Sequence, residues 1–438
     1  MLETFRKAFQ IKDIRNKIVY TFLMLVVIRI GSQLPTPGVN SNYIKEFFAQ
    51  NTGEAFNLFN AFTGGSFEQM SVFALSITPY ITSSIIMQLL TIAIPKLEEM
   101  QKEGEDGRKK IAAITRYLTV GLALFESTAM AVGFGRQGLL VKFNFVNAAI
   151  VVLTLTAGSA FLMWIGERIT EKGVGNGISI VLVINIVSRV PSDMTSLFDQ
   201  FVKDKPIASA GLAVLVILAI IILLVVFVVI LQGGERRIAV SYSQKTAGRK
   251  MYGGRTTNIP LKVNTAGVIP IIFASSLMQF PIVIASFLGK GDGTGVGSEI
   301  LRGLNQGNWC NPEKIQYSWG LLVYIVLTVF FAYFYTSITF NPLEIANNMK
   351  KNGGFVPGIR PGRPTVEYLT NILNYIIFIG ACGLIVIQII PIFFNGWLGA
   401  SVSFGGTSLI IIVSVVLETM KQIESQMLVR NYKGFLNS

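Results

Sequence analysis

Few residues in this chain are equipped for covalent chemistry. Histidine is absent from all 438 positions, which removes imidazole acid-base catalysis, Ser-His and Cys-His nucleophile pairs, and every metal motif that needs a ring nitrogen. The two cysteines, Cys310 and Cys382, are too few and too far apart in sequence for a disulfide framework or a thiolate metal site. No G-x-x-x-x-G-K-[ST] run provides a nucleotide-phosphate loop. The nearest stretch, Gly289 to Gly297 (GKGDGTGVG), lacks the strand-to-helix setting and reads as a flexible connection. Among charged residues, only Arg29 and Glu126 fall clearly inside long apolar segments. Arg29 is near one end, where its stem lets the charge reach the interface. Glu126 is deeper, and a lone carboxylate there reads equally as part of a proton path or as a group that is paired or neutral. No carboxylate pair supports intramembrane proteolysis. No catalytic residue, cofactor or metal is expected, and any work done has to be powered by a partner.

The elements that position the remaining chemistry are membrane spans. Charged residues make up 14% of the chain and hydrophobic ones 51%, against about 25% charge in an ordinary soluble domain. Crossing about 30 Å of hydrocarbon takes roughly 20 helical residues. Ten stretches avoid charge for long enough: 18–34, 71–94, 115–133, 145–166, 174–190, 207–231, 264–288, 317–338, 369–391 and 404–420. The last two share one charge-free run, divided at Pro391 and Asn395-Gly396 because turn residues punctuate it there. The expected fold class is an all-α polytopic membrane protein of ten transmembrane helices, with both termini on one side.

Charge gives the orientation. With the N-terminus inside, the inside segments hold 27 basic against 14 acidic residues, a difference equal to the whole net charge of +13. Basic loop residues resist translocation, so this face is expected to be cytoplasmic and to be the working face. Residues 1–17, with Phe5, Phe9 and Ile14 set among Arg and Lys, read as a short amphipathic helix on the anionic inner leaflet. No A-x-A-like site follows, so this segment is expected to be retained.

Two spans are irregular. A short apolar turn, Phe56 to Phe62, is separated by Gly64-Gly65 from a span that contains Pro79, and the span after residue 264 carries Gly267, Pro270 and Pro281. Interrupted helices at matching places in two halves point to a pathway between repeats. Ser76, Thr78, Thr82, Ser83, Ser84 and Gln88 in one span, and Ser275, Ser276 and Gln279 in the other, suit a wettable cavity or helix contacts equally well. Loop 232–262 carries seven basic residues against one acidic, and its RIAVSYSQK run alternates as a strand of a hairpin would. In loop 339–369, Asn341, Pro342 and Glu344 start a short helix that Gly353-Gly354 ends, and Arg360 sits among Pro357, Gly358, Pro361 and Gly362.

Five separated stretches, TGGSFEQMSVFALSITPYITSSIIMQLL, ITEKGVGNGIS, KVNTAGVIPIIFASS, NNMKKNGGFVPGIRPG and FGGTSLIIIVSV, resemble the bacterial SecY family, whose members are central subunits of the Sec protein-conducting channel. The resemblance covers all ten spans and several loops. It implies two pseudo-symmetric five-helix halves, 18–190 and 206–425, around a central hourglass pore, with a cytoplasmic tail at 426–438. It places a pore ring of aliphatic side chains on Ile77, Ile81, Ile178, Leu182, Ile272 and Ile411, with Leu182 departing from the commoner isoleucine. It places a plug at about 55–66, comprising Phe56, Asn57, Leu58, Phe59, Asn60, Ala61 and Phe62 with Gly64 and Gly65. A lateral gate between spans two and three and spans seven and eight would admit a signal sequence. Arg237, Arg249, Lys250 and Arg360 would dock the SecA ATPase motor or the ribosome. The implied partners are the membrane subunits SecE and SecG, unfolded polypeptide substrates with their signal sequences, and membrane lipid. The implied location is the bacterial plasma (inner) membrane. Taken singly, each ring isoleucine reads as ordinary helix packing. A secondary transporter of a small solute is the alternative reading, and a membrane scaffold the third.

Overall fold

In a computed structural model, residues 6, 8–40, 63–136, 138, 140, 144–203, 206–242, 245–247, 250–252, 256–287, 295–398 and 406–436 are described. The first half contains α1 (Lys12–Gly31), α2 (Thr78–Ala93), α3 (Pro95–Lys102), α4 (Glu105–Arg136), α5 (Phe145–Lys172) and α6 (Gly177–Phe201). After α7 (Ile207–Gly233) come four strands, β1 (Glu235–Tyr242), β2 (Lys245–Ala247), β3 (Lys250–Tyr252) and β4 (Thr256–Lys262). The chain continues through α8 (Ile269–Phe287), α9 (Val296–Leu304), α10 (Trp319–Thr339), α11 (Pro342–Lys351), β5 (Gly354–Phe355), α12 (Arg363–Leu398) and α13 (Gly406–Leu436). Helices α1, α2, α4, α5 and α6, then α7, α8, α10, α12 and α13, occupy the ten expected spans.

Among the described residues, six of these helices are long and apolar enough to cross a bilayer unaided, and α2 with α3 forms a pair bent by 102°. That bend sits at Ile94, whose backbone is extended, just before Pro95. The proline disfavours a helical conformation for its predecessor. The surface matches a lipid solvent. On α7, Leu212, Leu215, Leu218, Ile222 and Ile230 are exposed, while the backbone is satisfied within the helix, as a bilayer demands.

Three boundaries differ from expectation, each for a local reason. Residues 71–77 form turns and α2 begins only at Thr78, because this stretch pairs with the chain after α1: Thr36 N–H donates to the Met70 carbonyl and Val72 N–H to the Leu34 carbonyl, both at 2.9 Å. Pro391 lies inside α12, which continues to Leu398. A proline removes one intrahelical bond, which a membrane helix tolerates. Gly396 does not end the helix; the Cys310 backbone lies close enough that a Cβ would meet its carbonyl carbon at 2.8 Å. Helix α13 runs past the expected end of the last span at 420 to Leu436, so the segment expected as a tail begins as helix.

The N-terminal segment also differs. Its apolar residues Ala8 and Ile14, with Ile11 and Ile18, pack against Val174, Met420, Ile423 and Met427, and Lys17 Nζ donates to Gln426 Oε1 at 3.3 Å. Ile14, expected to rest on lipid, is instead covered where the two ends of the molecule meet, while Phe9 stays exposed at 43%. Elsewhere the halves meet where α6 packs on α13 and where α4 touches α8.

Outside the helices, β1 and β4 form an antiparallel ribbon from Glu235↔Lys262 to Ser241↔Thr256. Its other edge takes up β5 through Ser241↔Phe355 and Tyr242↔Gly354. One three-stranded sheet, ordered β4-β1-β5, therefore joins the two basic loops. Ile238, Val240 and Leu261 beneath it pack on Ala346, Met349, Val356, Leu369 and Ile376.

Candidate functional site

Four helices from both halves converge on one apolar cluster. Ile81 comes from α2, Leu182, Val183 and Ile186 from α6, Val268 and Ile272 from the start of α8, and Ile411, Ile412 and Val415 from α13. Leu182, Ile186 and Ile411 are 8%, 2% and 3% exposed, while Ile81 and Ile272 are half-buried. None of these side chains offers a hydrogen bond. Four of the six expected ring residues, Ile81, Leu182, Ile272 and Ile411, are brought together here. The other two are not: Ile77 and Ile178 belong to an adjoining cluster with Ile28, Phe73, Leu162, Ile165, Ile169 and Val181. Ile77 is the N-cap of α2, where the chain leaves the 71–77 turns, and that places it inside the first half with 0% exposure. Ile186 was missed, although it lies four residues beyond Leu182 and so on the same face of α6.

Beyond the collar lies the root of the expected plug. Phe56, Asn57, Leu58, Phe59, Asn60, Ala61 and Phe62 fall outside the described residues. Gly64 and Gly65 have φ of +67° and +84°, a region that glycine enters without strain. At Gly64 a Cβ would lie 2.9 Å from the backbone of Asn185, so the pair forms a corner seated on α6. Ser188 Oγ reaches the Gly64 carbonyl at 3.4 Å and accepts from Arg29 Nη1 at 3.0 Å. Arg189 Nη1 donates to Glu68 Oε2 at 3.1 Å. Arg29 thus has a specific partner instead of merely reaching for the interface. Two non-glycine residues of this segment, Met70 and Ser76, also have positive φ, +43° and +51°, conformations held only where surroundings over-determine them.

The basic loops form a single platform. Arg237 is exposed, but Nη2 donates to Glu235 Oε1 at 2.8 Å, and this bond holds the Glu235 carboxyl below the usual carboxylate range. Much of its charge is therefore answered locally, while Arg236 beside it is exposed. Arg249 lies outside the described residues. Lys250 begins β3, paired with Ala247. Arg360 is exposed in a loop braced by Thr365 Oγ1 donating to its carbonyl at 2.9 Å, between Gly358 at φ +83° and Gly362 at φ +112°. Before it, Asn341 Oδ1 caps α11 by accepting from Leu343 N–H at 3.1 Å and Glu344 N–H at 3.4 Å.

Among the described residues no group of His, Cys, Asp and Glu could hold a metal ion. Glu126 on α4 is half-buried, and no cationic group is within ion-pair distance of it among the described residues.

Taken together, the helices and the collar define a predominantly helical, multi-pass membrane protein whose two halves meet through aliphatic side chains, with a basic platform built on a small sheet at one face. The SecY family model matches residues 71–420. The chain is 43% identical to "Protein translocase subunit SecY" of Corynebacterium glutamicum over 98% of its length and 99% of that protein. It is 43% identical to the same subunit of Bacillus subtilis, covering both chains completely at 100%. Among solved structures it is similar, at TM-score 0.62 and 20% identity over 94% of this chain and 92% of the other, to one described as showing that the plug domain of the SecY protein stabilises the closed state of the translocation channel. The chain belongs to the SecY family.

Proposed function

We propose that this chain is the central, pore-forming subunit of a bacterial protein translocase, a gated conduit for unfolded polypeptides across the plasma membrane and sideways into it. The observation that carries this is the collar, to which α2 and α6 of the first half and α8 and α13 of the second each contribute aliphatic side chains. An aliphatic constriction dewets and blocks ions, because shedding their hydration there is prohibitive. The same side chains yield around a passing chain without offering hydrogen bonds that would hold it. Ile81, Leu182, Ile186, Ile272 and Ile411 form the seal. Ile77 and Ile178 support the first-half side of it from behind.

The segment carrying Phe56 to Phe62 caps the collar, and the corner at Gly64 docks its root onto α6. The lateral gate is the seam where α4 meets α8, with α2 and α10 flanking it. SecE and SecG accompany the chain in the membrane. SecA or the ribosome docks on the platform that carries Arg237, Arg249, Lys250 and Arg360, and supplies the work; the chain is a conduit and not an enzyme. Phosphate-rich RNA on such a patch would bind in a salt-dependent way, whereas a protein motor also needs apolar anchors such as the exposed Phe355. The excess of basic residues on these loops sets them, and both termini, on the cytoplasmic side.

Proteoliposomes holding the chain with its small subunits, supplied with motor and ATP, are expected to render an unfolded secretory precursor protease-resistant, and to show no saturable uptake of small solutes. Substrate-stimulated solute uptake by the chain alone, without precursor protection, would favour a carrier and overturn this reading.

A further inference from the structure

Two buried hydrogen-bonded knots lie one helical turn from the collar. In the second half, Ser275 Oγ on α8 is 3.3 Å from the Tyr324 hydroxyl on α10. That hydroxyl also donates to Gln388 Oε1 on α12, and Gln388 Nε2 donates to Thr407 Oγ1 on α13 at 3.1 Å. The four residues are 2–8% exposed. In the first half, Asn185 Nδ2 on α6 donates to Ser76 Oγ at 3.0 Å, and Ser159 Oγ on α5 donates to the Ser76 carbonyl at 3.1 Å.

The spacing ties these knots to the collar. Ser275 follows Ile272 by three residues and Thr407 precedes Ile411 by four, a rise of about 5 Å in each case. Helices α8 and α13 run in opposite directions, so both polar residues lie on the same side of the collar, away from the basic platform. Asn185 follows Leu182 by three, and Ser76 precedes α2 with its Ile81, which puts the first-half knot on that same side. Both knots join parts of a single half: the first links α5 and α6 to the turn before α2, and the second links α8, α10, α12 and α13.

Apolar contact is non-directional, and lipid-embedded helices gain little from burying apolar faces against one another. The collar side chains alone therefore do not fix how α8 is rotated against α13. A buried polar network does, because slipping it leaves donors and acceptors unpaired.

We infer that the two knots are the positioning elements of the collar: Ser275, Tyr324, Gln388 and Thr407 hold Ile272 in register with Ile411, and Ser76, Ser159 and Asn185 hold Ile81 in register with Leu182 and Ile186. Each half then carries its share of the collar as one unit. This rests on the reading of the collar as the seal, so one readout is chosen that does not depend on leak.

The test places spin labels at Leu277→Cys on α8 and Val416→Cys on α13, both outward-facing at 54% and 44% exposure, in full-length protein with Cys310→Ser and Cys382→Ala. Gln388→Leu is expected to broaden the inter-label distance distribution and to raise resting ion leak by about threefold to tenfold, the shift that one lost hydrogen bond produces. A fourfold variant, Ser275→Ala, Tyr324→Phe, Gln388→Leu and Thr407→Val, leaves no polar side chain unpaired; it is expected to regain thermal stability but keep the broad distribution. Thr407→Ser, which retains the hydroxyl, is expected to match the parent where Thr407→Val does not. A fourfold variant with the parental narrow distance, or Thr407→Ser and Thr407→Val indistinguishable by distance, would overturn the inference. Broadening without leak would uphold the knots and remove the sealing role from the collar.

Discussion

At the scale of single residues, the collar is chemically silent, and that is why it was only partly legible. Ile81, Leu182, Ile272 and Ile411 carry nothing that distinguishes them from packing residues, and they were placed by family motifs instead of by their chemistry. The same alignment put Ile77 with them, but whether a residue at a helix start faces inward depends on the turns before it, and the strained 71–77 stretch with Ser76 at φ +51° was invisible in the residue pattern. Arg360 was legible because its Pro and Gly neighbours announce a stiff loop. Its guanidinium is exposed, whereas that of Arg237 is bonded to Glu235. Arg360→Glu is therefore expected to slow motor-driven export by roughly tenfold or more, since reversing a charge at an interface converts attraction into repulsion. Arg237→Ala should change export by no more than about twofold, as exposed ion pairs contribute little. Rates of precursor protection in proteoliposomes check both, with resting leak unchanged in each. A stronger effect at Arg237 than at Arg360 would reverse the assignment.

At the scale of elements, hydropathy located the spans and proline misled at one of their ends. The run does divide into two helices, but α12 ends at Leu398 instead of Pro391, and Gly396 serves close approach to the Trp309-Cys310 backbone, a tertiary demand that looks like a turn signal in one dimension. The platform was half legible. The alternation in RIAVSYSQK gave β1, but β5 is two residues long and carries no periodicity, so the joining of the two loops into one sheet could not be foreseen. That joining has a consequence for stability. Leu261, 2% exposed beneath the sheet, packs with residues from both loops, and Leu261→Ala is expected to cost about 2–5 kcal/mol of local stability by leaving a cavity. Hydrogen exchange should then accelerate in β1, β4 and α11 together while the collar helices keep their protection. Faster exchange confined to β4 would mean that the loops are independent.

At the scale of the whole molecule, the halves are linked unevenly. On one side Ala8 and Ile14 pack on Met420 and Ile423; on the other, α4 only touches α8. The clasp was hidden in the sequence because an amphipathic helix looks the same whether its apolar face meets lipid or protein. A short cysteine-to-cysteine linker between positions 14 and 420 is expected to leave export near the parental rate. One between positions 81 and 411, which share the collar, should arrest export until it is cleaved. Arrest by the first linker and not the second would place the moving seam at the clasp. Most direct of all is the resting conductance of single channels in planar bilayers for the parent and for Ile81→Gly, Ile272→Gly and Ile411→Gly. An aliphatic seal predicts a near-silent parent and a clear ion leak in each glycine variant, because losing these side chains widens and wets the constriction. Glycine variants as tight as the parent would contradict it.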